Sequence, residues 1–90
     1  MINIFKVKDE PKYAPLCSYM LIDYNSRNKE GIPRIIIHDS LSTIIDNYLN
    51  HTYRDILEIS TLERRITKYD LIESYPKRSY IREKYPEYLI

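Results

Sequence analysis

The stretch PRIIIHDSLSTIIDNYLN, residues 33–50, decides the fold because a short strand is followed directly by an amphipathic helix. The β-branched run RIIIH, residues 34–38, favours a strand, and Asp39 and Ser40 are residue types that cap helix N-termini. Beyond them, apolar residues recur at i, i+3, i+4, i+7 and i+8, which is the spacing of one helix face: Leu41, Ile44, Ile45, Tyr48 and Leu49. This pattern predicts a helix over about 40–50.

Two more strands are predicted before this stretch. Residues 2–7 (INIFKV) and 16–24 (LCSYMLIDY) carry apolar side chains on both faces, which is typical of strands inside a sheet. The polar segment NSRNKEG, residues 25–31, connects the second strand to the third. Two strands joined in this way indicate an antiparallel hairpin with a long loop.

The segment after residue 50 predicts one more strand and one more helix. Residues 52–59 (TYRDILEI) fit a strand or a helical turn, and the strand is favoured because Ser60 and Glu63 then form a capping box for a helix over 61–74. The order β-β-β-α-β-α predicts an α+β domain, with a small, mostly antiparallel sheet and two helices on one face. We assign residues 1–74 to this domain and residues 75–90 to a Tyr/Pro-rich C-terminal tail, either docked on the domain or bound to a partner.

Composition limits the environment and the source of the chain. The net charge of +1 gives no overall attraction to nucleic acid or to an anionic membrane. The chain has one Cys, no signal-peptide pattern and no apolar run near the ~20 residues that span a bilayer, so we expect a cytoplasmic protein. Ten Tyr and fifteen Ile beside one Gly indicate an AT-rich gene, such as that of a phage or another virus, with the host cytoplasm as location.

No residue pattern predicts catalysis, a cofactor or a metal site. His38, Asp39 and Ser40 are the residue types of a hydrolytic triad, but consecutive side chains at a strand–helix junction cannot converge. Cys17 lies in an apolar strand and is expected to pack rather than react, and one Cys with two His, at 38 and 51, cannot complete a standard zinc site. A single glycine excludes the Gly-rich phosphate loops. An enzymatic alternative would depend on His38 as its acid–base group.

The C-terminal segment contains the candidate binding residues. Tyrosine supplies a large apolar body with a polar tip, and arginine supplies bidentate polar contacts, so both are common at interfaces. The predicted partner-binding residues are Tyr75, Arg78, Tyr80, Arg82, Tyr85 and Tyr88. Cations interleaved with aromatic rings also suit single-stranded nucleic acid. The residues for that alternative are Arg64, Arg65, Lys68, Lys77, Arg78, Arg82 and Lys84.

These features favour a small non-enzymatic binding protein. The leading hypothesis is a phage or viral accessory factor that binds a host protein and modulates or inhibits it, in host takeover or anti-defence. The protein partner could equally be a second copy of the chain. A small nucleic-acid-binding regulator is the alternative, and the sequence does not separate an inhibitor from a minor structural component of a larger assembly.

Overall fold

The computed structural model describes residues 1–8, 18–50 and 68–88, which form four strands, two helices and one 3₁₀ turn. In chain order these elements are β1 (Ile2–Val7), β2 (Tyr19–Arg27), β3 (Pro33–His38), α1 (Leu41–Asn50), β4 (Tyr69–Tyr75), α2 (Arg78–Lys84) and the turn Pro86–Tyr88. The predicted first strand, third strand and first helix are thereby confirmed.

The four strands form one antiparallel sheet with the order β3-β2-β1-β4. Ile4 of β1 lies opposite Leu21 of β2, and Leu21 in turn lies opposite Ile36 of β3. These three residues therefore form one apolar row across the sheet. The α+β class and the antiparallel sheet predicted from the sequence are confirmed.

One face of the sheet packs against both helices. Its strand residues are buried in a cluster with the apolar stripe of α1 and with Ile81 of α2. The i, i+3, i+4 spacing of α1 places its apolar side chains on this face together. The cluster consists of Ile2, Ile4, Leu21, Ile36, Ile44, Ile45, Tyr48, Leu49 and Ile81.

A second apolar cluster lies on the opposite face of the sheet. It follows from the period of two in β1 and β2, where alternate residues point to opposite faces. Its buried members are Phe5, Val7, Met20, Ile22 and Ile37, with Ile35 packed against them. Apolar residues on both faces of β1 and β2 were predicted from the sequence, and this prediction is confirmed.

Three element boundaries differ from the sequence prediction. Residues 69–74 were predicted as the end of a helix over 61–74, but they belong to β4. Their apolar spacing also fits a helix, and pairing with β1, which provides partners for their backbone N–H and C=O groups, makes them a strand. Strand β2, predicted over 16–24, begins at Tyr19 and continues to Arg27, so the hairpin loop is shorter than predicted. The second helix that packs on the same face of the sheet as α1 is α2, which lies in the segment predicted as the C-terminal tail, residues 75–90. The predicted strand over 52–59, the capping box at Ser60 and Glu63, and residues 61–67 lie outside the described residues.

Turn chemistry closes the hairpin between β2 and β3. The Gly31 N–H donates to the Asn28 carbonyl at 3.0 Å, and Gly31 has a φ of 82°, a conformation that glycine adopts without steric cost. The Asn28 side chain accepts from the N–H groups of Glu30 and Ile32. The only glycine of the chain thus lies where a positive φ is needed.

Docking of α2 on the core should contribute substantially to stability. Replacing Ile81, which is fully buried, by Ala should lower the free energy of unfolding by about 2–4 kcal/mol, because a buried side chain is lost and a cavity remains. The control is Ile72→Ala in β4, where the side chain is half exposed and the cost should stay below about 1 kcal/mol. Urea denaturation measures both, and equal small costs would show that α2 does not pack as described.

Candidate functional site

A buried carboxylate joins β2 to α1. Asp23 of β2 is 3% exposed, and its Oδ2 accepts a hydrogen bond of 2.7 Å from the Tyr48 hydroxyl. The same carboxylate accepts from the Asn25 N–H at 2.9 Å and from the Ser26 hydroxyl at 3.0 Å. A buried charge is tolerated only where such bonds replace its hydration.

Two arginines hold the C-terminal end of α1. Arg34 of β3, also buried, donates to the carbonyls of Asn47 and Tyr48 at 3.2 and 3.4 Å, and Arg78 of α2 donates to the Leu49 carbonyl at 2.6 Å. The last carbonyls of a helix have no partners within it, so these bonds satisfy groups that would otherwise be left unpaired. Both guanidinium carbons lie near the Tyr48 ring, at 5.0 and 5.4 Å from its centre.

Burial changes the acidity of Tyr48. Removal from water raises the pKa of the Tyr48 phenol, and its hydrogen bond to Asp23 raises that pKa further. The neutral phenol is therefore the form that the folded protein stabilises. Tyr48 acts as a fixed hydrogen-bond donor rather than as an acid–base group near neutral pH.

A pocket of about 180 Å³ opens beside this network. Its uncharged lining residues are Ile2, Tyr48, Asn25 and Ser26. Its charged lining residues are Asp23, Arg34, Lys77 and Arg78, so three cations face one carboxylate. The pocket thus brings together charges from β2, β3 and the start of α2 that are far apart in sequence.

Among the strands that the structure describes, β4 lies at one edge of the sheet, and it carries exposed apolar side chains. Among the described residues it pairs with β1 alone. Tyr69, Leu71 and Ile72 are 48%, 55% and 45% exposed, respectively. A bulge between Ile4 and Phe5 of β1 leaves Ile72 without an opposite residue. We refer to Tyr69, Leu71 and Ile72 as the β4 patch.

The predicted partner-binding residues of the tail divide into two groups. Tyr75, Tyr85 and Tyr88 are partly buried against the helical core, whereas Tyr80 is 50% exposed and Arg82 is exposed. Arg78, the sixth residue, is exposed but donates to the C-terminal end of α1. The structure therefore leaves Tyr80 and Arg82 as the tail residues whose side chains are open to a partner.

Tyr85 is held by a polar contact as well as by packing. Its hydroxyl donates to both carboxylate oxygens of Glu73, each at 3.0 Å, and Lys84 forms a salt bridge with the same carboxylate. Burial and the bond to Glu73 raise the pKa of Tyr85, and the hydrogen bond to Glu73 raises the pKa of Lys84. Asn50 of α1 donates to the Tyr88 carbonyl at 2.6 Å. These contacts attach the 3₁₀ turn and the end of α2 to the rest of the protein.

Five of the residues predicted for nucleic-acid binding lie in the described part of the chain, at three different places. Lys77 and Arg78 meet at the pocket, and Arg82 is exposed on α2. Lys84 is paired with Glu73, and Lys68 is exposed just before β4. Arg64 and Arg65 lie outside the described residues, as do Cys17 and His51.

The strand–helix junction has the capping role expected of it. The Thr43 N–H donates to Ser40 Oγ at 3.4 Å, and the Ser40 N–H donates to His38 Nδ1 at 3.0 Å. His38 and Ser40 are thus engaged with backbone groups at the start of α1. Within the described part of the chain, no three His, Cys, Asp or Glu residues lie together as metal ligands.

Sequence reasoning missed Asp23 and Arg34 as site residues and assigned Tyr48 to the core alone. Asp23 and Arg34 each place a charge directly beside an apolar run of a strand, in MLID and in PRIII. Such a charge is rarely buried without a partner, so it could have indicated a buried polar network. The identity of the partner, Tyr48, depends on tertiary contact and has no local signal.

The Tyr48 network predicts a specific loss of stability at alkaline pH. The folded state raises the pKa of Tyr48 above its ordinary value of 10.0. The protonated phenol therefore contributes to the free energy of unfolding below pH 10, and this contribution is lost as the pH rises further. Tyr48→Phe removes this ionisation, so its free energy of unfolding should fall less steeply above pH 10, by up to about 1.4 kcal/mol per pH unit. Urea denaturation from pH 8 to 11.5 measures this slope, with Tyr80→Phe as the exposed control. Identical slopes for Tyr48→Phe and the unchanged protein would contradict the network.

Comparison with known proteins found no matching family model, curated protein or solved structure. None of the described helices is both long enough and apolar enough to cross a membrane. The candidate contact sites of the described residues are the β4 patch, the pocket beside Tyr48 and the exposed residues of α2.

Proposed function

We propose that the chain is a non-enzymatic binding protein that attaches to another protein through β4. The observation that supports this proposal is the β4 patch, where three large apolar side chains within four residues are about half exposed on an edge strand. Single exposed apolar residues are ordinary, but several of them on one strand at a sheet edge are typical of interaction sites.

The expected partner is a protein that presents an extended segment. An edge strand offers a row of backbone N–H and C=O groups to which such a segment adds as a further strand. Backbone bonds then supply affinity, and side chains at alternate positions supply specificity. Tyr69 and Leu71 lie on the same face of β4, and their side chains would contact apolar side chains of the added strand.

The charges around the patch favour an apolar contact over an ionic one. Asp70 forms a salt bridge with Lys8, and Glu73 forms one with Lys84, so the two carboxylates of β4 are already paired. The bulge at Ile72 interrupts the regular ladder, and bulges at edges limit indiscriminate strand pairing. The edge would therefore accept a segment that fits this interruption rather than any exposed strand.

The half-exposed Tyr80 and the exposed Arg82 of α2 are a second group of candidate contacts. Tyrosine and arginine are enriched among residues that dominate binding energy. The other predicted tail residues would act indirectly, because Tyr75, Tyr85 and Tyr88 pack on the core.

The biological role that we propose is that of a phage or viral accessory factor in the host cytoplasm. Its support is compositional, since Ile and Tyr codons are AT-rich and the chain has fifteen Ile and ten Tyr. A protein of 90 residues can modulate a host protein by occupying a strand-accepting or strand-donating surface. Inhibition in host takeover or anti-defence is the form of modulation that we propose.

A nucleic-acid-binding regulator is the second candidate. The observation that favours it is the convergence of Lys77 and Arg78 with Arg34 at one pocket. Such binding would weaken steeply as salt rises, because cations on phosphates release counterions. Binding through the β4 patch would depend little on salt, which separates the two candidates.

The test is recovery of a partner by the tagged 90-residue chain expressed in its host, with and without nuclease. Leu71→Lys should reduce recovery of a discrete protein at least tenfold, because it places a charge in the apolar contact. Tyr24→Lys is the matched control, since Tyr24 is another exposed aromatic residue but lies on β2.

Three results would contradict the proposal. Equal recovery by Leu71→Lys and Tyr24→Lys would exclude the β4 patch as the contact. Recovery that disappears with nuclease would favour the nucleic-acid candidate. A dimer of the purified chain that Leu71→Lys converts to a monomer, measured by light scattering, would make the occupant of β4 a second copy rather than a host protein.

A further inference from the structure

We propose that the pocket beside Tyr48 binds the phosphate group of a small molecule, either free phosphate or a phosphate monoester. This inference is separate from the β4 patch and does not depend on it. The pocket lies between the end of β2, the start of β3 and the start of α2, and it is lined by Lys77, Arg78 and Arg34.

The charge of the pocket favours an anion. Three cations line it against one carboxylate, that of Asp23. Both oxygens of Asp23 are already occupied, since they accept from Tyr48, Ser26 and the Asn25 N–H. The Asp23 carboxylate is therefore engaged with its own donors, and an excess of cations among the lining residues favours an anion.

Lys77 and Arg78 are the residues that would contact the phosphate. Arg78 uses Nη2 for the Leu49 carbonyl, and a guanidinium has five N–H donors, so others can address a ligand. Within residues 1–8, 18–50 and 68–88, Lys77 forms no salt bridge. Arg34 would contribute mainly by its charge, because it donates to two carbonyls of α1.

The size of the pocket limits the ligand. Its volume of about 180 Å³ is below the roughly 300–1,000 Å³ of pockets that enclose drug-sized ligands. A phosphate group fits this space, and the remainder of a monoester would extend into solvent. The planar fork of Arg78 and the point charge of Lys77 are both common phosphate contacts.

The competing explanation is that these cations only stabilise the C-terminal end of α1. It accounts for Arg34 and Arg78, which both donate to carbonyls of α1. It does not account for Lys77, which is exposed at the pocket and has no bond to those carbonyls within the described part of the chain. Lys77 is therefore the residue that separates the two explanations.

The experiment is an NMR titration of the full-length chain with inorganic phosphate and, separately, with glycerol 3-phosphate, at constant ionic strength set by sodium chloride. Amide shifts should concentrate at residues 23–26, 34 and 77–78. Lys77→Met should weaken binding about tenfold, because one charge-assisted contact is lost. Lys29→Met is the matched control, since Lys29 is exposed in the hairpin loop, and it should bind as the unchanged protein does.

The two ligands identify the source of the phosphate. Binding of glycerol 3-phosphate that is tighter than that of inorganic phosphate would assign the pocket to a monoester. Equal binding of the two would assign it to free phosphate. Both outcomes support the site. Shifts spread over all lysines, or equal weakening by Lys77→Met and Lys29→Met, would overturn the proposal. Unchanged spectra with both ligands would overturn it as well.

Discussion

The hydrogen bond from Tyr48 to the buried Asp23 carboxylate constrains the rest of the described structure. It fixes α1 against β2, and the helix then presents its last carbonyls to Arg34 and Arg78. Through these bonds β2, β3, α1 and α2 meet around one aromatic ring. A buried charge of this kind contributes little net stability, but breaking one contact leaves another polar group unsatisfied, so it specifies a single arrangement.

This arrangement determines which residues remain for recognition. Tyr75, Tyr85 and Tyr88 are committed to the helical core, and Arg78 is partly committed to α1. The candidate contact residues that stay exposed are those of the β4 patch, Tyr80 and Arg82, together with Lys77 at the pocket. A protein-binding edge and an anion-binding pocket can coexist, because they use different residues.

The predictable part of the fold came from local patterns, and the rest required tertiary contact. The stripe of α1 has the period of a helix, and the short, β-branched runs of β1 and β3 have the length and composition of strands. Residues 69–74 have a spacing compatible with a helix, and only pairing with β1 makes them a strand. For the site, Tyr80 and Arg82 could be proposed from composition. The β4 patch could not, because exposure at a sheet edge depends on strand order.

The central claim is that β4 is an open edge in the isolated protein, and amide hydrogen exchange over residues 69–75 tests it most directly. In an edge strand alternate N–H groups point away from the neighbouring strand, so they lack ladder hydrogen bonds. The account predicts alternating fast and slow exchange along β4, in contrast to uniformly slow exchange in the central strand β1, Ile2–Val7. Uniformly slow exchange along β4 would show that its outer edge is already covered and would contradict the proposed mode of binding.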